Sequence, residues 1–160
     1  MESLIAYFTY QYTLVQESRK TLFDYCKTIS REDFIEQNSS FGRGGSIRNL
    51  LVHIGNTYEH WIIKHMLGKD INFTAYSTIH QLDGVLELFA SIDHEMAQFL
   101  SRYQSSMYEA HLLDINGITK RVSPFEAFTH VITHEFHHKG QILSLSRHLG
   151  YLPVDTDIIR

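Results

Sequence analysis

The sequence predicts an all-α protein: a four-helix bundle carrying one small β-hairpin before its last helix. Three observations lead there. Apolar residues recur at intervals of three and four along four long segments. The connections between those segments are short and rich in turn residues. A single Asn-Gly pair, Asn116-Gly117, separates HLLDI from ITKRV and is flanked by β-branched residues, the pattern of a two-residue hairpin turn. With 160 residues, one domain spanning 1–160 is expected, long enough to bury a sizeable core.

In chain order, residues 2 to 29 are predicted as one helix. Its apolar positions are Leu4, Tyr7 and Phe8, then Leu14 and Val15, then Leu22, Tyr25 and Ile29, with the aromatics assigned to the core. Ser30-Arg31-Glu32-Asp33 resembles a capping box that opens a short turn. Residues 37–45, QNSSFGRGG, are loop by composition. Their glycines make no phosphate loop, since no strand precedes them and no Gly-Lys-Ser/Thr follows. Ser46 caps the second long helix, which stops at Gly68 and carries a stripe of Ile47, Leu50, Leu51, Ile54, Tyr58 and Trp61. His53 lies at the margin of that stripe, His65 near its centre and His60 outside it.

Residues 69–77 form a second loop, and a third helix runs from about Thr78 to Tyr103 on Leu82, Val85, Leu86, Phe89, Ile92, Met96, Phe99 and Leu100. An isolated hairpin is only marginally stable, so the 111–122 hairpin should pack on the helices or cover an opening. Ser123-Pro124 then supplies a capping side chain and a proline at the first helical position. The last helix runs to Leu149, before Gly150 and Pro153, and a polar tail, VDTDIIR, follows.

Composition excludes several classes. The net charge of −4, with no basic cluster, gives no nucleic-acid footprint. No 18-residue apolar run indicates a membrane span and no leader segment is seen, so a cytoplasmic protein is expected. The one cysteine, Cys26, excludes an intrachain disulfide framework. It reads as a small buried residue rather than a nucleophile.

The chemistry concentrates in the last helix, which holds five of the eleven histidines: His130, His134, His137, His138 and His148. At 100° per residue, His134 and His138 share one stripe with Ala127, Val131, Ile142, Leu145 and Leu149. They are one turn apart, so their rings can converge. His130 and His138 are two turns apart, about 12 Å along the axis, too far to share an ion. The plain alternative is a pair of core histidines, each satisfied by a hydrogen bond, because burying an unpartnered polar ring costs roughly 1–3 kcal/mol. The metal reading needs a third ligand from elsewhere, and bundles do build such sites from facing helices. On spacing alone His53, His60 and His65 all qualify, with His53 and His65 preferred. A second stripe on the same helix, Phe125, Ile132, Phe136 and Leu143, makes it apolar on both sides and points to a homodimer.

Two segments together, SIRNLLVHI and HEFHHKGQI followed by a Leu-Gly turn and Pro153, resemble the DinB/YfiT-like family of metalloenzymes across nearly the whole chain. The family's paired motif is matched by His134, His138, Lys139, Gly140 and Gln141, with lysine where arginine is commoner. The resemblance implies a four-helix bundle in which His53, His134 and His138 hold a divalent ion, nickel or zinc above all, and it is the resemblance that selects His53 over His65. It also implies homodimers, and for some relatives transfer or isomerisation reactions that use bacillithiol, mycothiol or glutathione.

Three neutral ligands would leave an ion its full charge and an open position, which suits catalysis better than a closed structural site. Together with what the resemblance implies of its relatives, this makes a metal-dependent transferase using a low-molecular-weight thiol the expected function. A hydrolase that activates water, or a non-enzymatic metal- or stress-responsive binding protein, is the alternative. Glu135 points about 100° from His134, so the HE pair is not the HExxH arrangement of metalloproteases. Gln141 is a candidate for orienting a ligand from behind, and His137 is expected in solvent.

Overall fold

In the computed structural model, residues 4–37 and 45–160 are described. The expected start of the first helix at residue 2 and most of the expected 37–45 loop fall outside them. Helix α1 spans Leu4–Cys26, α2 Arg31–Ile35, α3 Ile47–Tyr58, α4 Leu82–Arg102 and α5 Pro124–His148. Strands β1, His111–Ile115, and β2, Ile118–Val122, form the antiparallel hairpin, with Leu113 opposite Lys120. The four long helices close a ring: α1 packs on α4 and α5, and α3 packs on α4 and α5. The expected all-α bundle with a hairpin before its last helix is what is seen.

Local chemistry sets the ends of these elements. Ser46 Oγ accepts from Asn49 N at 3.0 Å to start α3. Ser123 and Glu126 form a reciprocal capping box at the start of α5. Ser30 Oγ accepts from Asp33 N, making the expected short turn a five-residue helix. At the hairpin tip Asn116 and Gly117 have φ of 55° and 80°, the left-handed pair a primed turn demands. Gly55 serves packing instead. A Cβ there would stand 2.6 Å from Leu88 Cδ2, so the bare backbone lets α4 approach α3.

The core is built mostly of the expected apolar positions, with three corrections. Leu4 and Tyr7 are exposed because they lie off the face of α1 that packs on the core, which runs through Ile5, Phe8 and Tyr12. The third long helix begins at Leu82 rather than Thr78, after a 3-10 turn at Tyr76–Thr78. The second helix does not stay α-helical to Gly68. From Glu59 to Met66 it widens into a π-helix, in which successive residues advance by less than 100°. The buried face therefore passes from Tyr58 to Ile62 and Met66, while Trp61 and His65 turn to a partly exposed flank. Glu59, buried at the start of this wider turn, accepts from Thr74 N at 3.0 Å and from Thr74 Oγ1 at 2.8 Å, tying down the loop that follows.

On α5, the second stripe is largely closed within the chain itself. Ile132 is buried, Phe136 and Leu143 pack against the core, and Phe125 remains 37% exposed beside the rings of Phe8 and Tyr108. Ile132 thus has its cover inside the protomer and is no surface for a second copy. Among the described residues, no helix is long and apolar enough to cross a membrane.

Candidate metal centre

Helix α5 places His134 and His138 one turn apart, and their Nε2 atoms lie 3.2 Å from each other. Helix α3, packed against that face, brings His53 edge-on to both rings, with centroids 4.9 and 4.7 Å away. One ligand atom from each of the three lies within 4.8 Å of the others. Two imidazoles on a tetrahedral ion at 2.0–2.1 Å sit about 3.3 Å apart, which the His134–His138 pair already matches. The donor set fits a borderline divalent ion such as zinc or nickel.

The surroundings prepare these rings. His138 is buried, and its Nδ1–H donates to Gln141 Oε1 at 2.6 Å, which leaves the Nε2 lone pair toward its neighbours. The Gln141 amide is itself fixed by His137 Nε2 at 3.3 Å. Burial, followed by the charges that neighbouring His138 and His53 would carry, pushes the His134 pKa down to about 3. Its ring is therefore neutral and able to bind a cation at any physiological pH. His134 Nδ1 is buried without a hydrogen-bond partner.

Behind the histidines, on the adjacent face of α5, lies a buried ionic cluster that periodicity does not reveal. Glu135 accepts from Arg19 Nε at 3.0 Å and Nη2 at 2.9 Å, and from the Tyr58 hydroxyl at 2.7 Å. Lys139 Nζ lies 3.0 Å from the same carboxylate and donates to Ser18 Oγ at 2.8 Å. Ser18 in turn donates to the Thr156 carbonyl, which anchors the C-terminal segment. Burial alone would raise the Glu135 pKa, but the Arg19 and Lys139 charges outweigh it and hold the carboxyl below its usual value. Glu135 therefore serves the scaffold, which agrees with its direction on the helix, about 100° from His134.

A cleft of about 300 Å³ opens beside the cluster, lined by His53, Asn56, Thr57, His60, Trp61, His130 and His134. The sequence did carry a signal for its α3 wall: His53, Asn56, Thr57 and His60 are spaced at i, i+3, i+4 and i+7. The two other candidates for third ligand go elsewhere. His60 and His65 face each other across the π-turn with centroids 4.6 Å apart, and Trp61 stands against both. His130 packs on Trp61 at 5.4 Å and on His134 at 5.6 Å. Burial lowers the pKa values of His60, His65 and His130 as well. His137 is exposed, as expected. Cys26 is buried far from this chemistry in the core, where burial pushes its thiol up to about 12.

The family model described as the DinB family matches residues 6–160, nearly the whole chain. A search of curated proteins found none that matches.

Proposed function

The chain belongs to the DinB family, and on that premise we propose that it is a cytoplasmic, homodimeric metal-binding protein that transfers a low-molecular-weight thiol to an electrophile. His53, His134 and His138 would hold the ion, nickel or zinc, and Gln141 would fix the His138 ring behind it.

The observation that carries this reading is the make-up of the site. Three imidazoles converge there with no carboxylate or thiol among them, beside a cleft whose lining holds no charged side chain. A divalent ion in such a setting keeps its full charge and an open position, and supplies the Lewis acidity that holds a thiol ionised at neutral pH. The protein's own residues do the rest. Buried Cys26, with its raised pKa, is no nucleophile, so the attacking group must enter from solvent. Thr57 donates back to the His53 carbonyl at 3.0 Å, and Asn56 donates to the Thr74 carbonyl at 3.1 Å, which fixes the cleft wall. The transferase reading is favoured over hydrolysis because Glu135, the carboxylate next to the site in sequence, is consumed by Arg19, Lys139 and Tyr58 and cannot serve as a general base for water.

The experiment is turnover of monochlorobimane with zinc- or nickel-loaded protein and a panel of low-molecular-weight thiols. Conjugate formation that requires both metal and one thiol is expected. Rates equal to the uncatalysed reaction with every thiol would refute the transferase and leave a hydrolase or a binding protein. Light scattering at micromolar protein concentration tests the homodimer, and a monomer mass would remove it.

A further inference from the structure

Resting on the metal reading above, we propose that the cleft beside the three histidines is a subsite for a single-ring aromatic anion, with Trp61 as its positioning residue. Size and sign come first. At about 300 Å³ the cleft is at the small end of small-molecule pockets. Its seven lining residues include no acid. A doubly charged ion held by neutral imidazoles is therefore uncompensated by the protein, and an anionic head group on the ligand supplies the balance.

The wall gives the flat ring. Trp61 is held in place by rings on several sides, with His60 at 5.0 Å, His65 at 6.2 Å and His130 at 5.4 Å. The π-turn is what swings it out of the core, where α-helical winding would have put it, to the cleft. An immobilised, partly exposed indole favours a planar aromatic partner over a saturated one of equal size.

The test is calorimetric titration of zinc-loaded protein with benzoate, cyclohexanecarboxylate and phenol. Emission of Trp61, the chain's single tryptophan, gives an independent readout. Benzoate should bind more tightly than cyclohexanecarboxylate, and phenol most weakly. Trp61→Ala should weaken every aromatic ligand by about tenfold, and Trp61→Phe should recover most of that, which guards against a misfolded alanine variant. Zinc uptake is measured first on each sample. A protein that takes zinc but ignores these carboxylates, or binds them equally without Trp61, overturns the subsite and leaves the metal site standing. Failure to take zinc overturns both.

Discussion

Glu135→Gln should be among the most damaging single substitutions in this protein, although it is nearly isosteric and lies outside the three-histidine cluster. Glu135 is 1% exposed, and its two oxygens receive four donors. Oε1 faces Arg19 Nε and Lys139 Nζ; Oε2 faces Arg19 Nη2 and the Tyr58 hydroxyl. A glutamine amide must present its NH2 to one of these pairs, so two donors lose their acceptor whichever way it turns. Two buried cations also lose their shared counterion, and Asp93, which lies 2.7 Å from Arg19 and also accepts from the Tyr12 hydroxyl, compensates one of them in part. Breaking a buried pair in this way costs about 3–5 kcal/mol. For a chain of this size that is a fall in melting temperature of roughly 10 °C. Urea unfolding of metal-free protein measures it, and Lys139→Met supplies the control. In the double variant one stranded cation is gone, so the loss should be smaller than the sum of the single losses. A Glu135→Gln cost below about 1 kcal/mol, or additive losses, would show that the cluster does not hold α5 against α1.

The other expectations concern the metal and pH. His53→Ala should abolish high-affinity zinc or nickel uptake measured by elemental analysis after dialysis, while His65→Ala leaves it intact; the reverse would move the third ligand to the π-turn. Gln141→Leu should weaken metal affinity by about 10- to 100-fold in a competition titration with a chelator, because His138 loses the acceptor that fixes its ring. Without metal, stability should rise with pH between about 5 and 7. His134, His60, His65 and His130 all have depressed folded-state pKa values, so the unfolded chain binds more protons in that window and acid favours it. A urea midpoint that is flat or falls across that range would contradict the assignment of these rings as neutral.

Much of this molecule could be read from local rules. The caps at Ser30, Ser46 and Ser123, the Asn116-Gly117 turn and the faces of α3, α4 and α5 are consequences of residues within a few positions of one another. So is the convergence of His134 and His138, since the pitch of one helix fixes it. The fate of Trp61 and His65 was not legible, because a stripe drawn at 100° per residue assumes α-winding to the end, and the π-turn after Tyr58 breaks that assumption.

Spacing within one segment therefore determined the elements, their ends and two of the three converging imidazoles. The family resemblance chose His53 among candidates that spacing left open, and only the tertiary structure brought its ring to the other two, closed Arg19 and Lys139 on Glu135, and set Asn56 and Trp61 in the cleft wall. Backbone geometry sets the directions of side chains on a single helix, whereas the rotation and approach of one helix against another depend on how every core side chain fills the space between them.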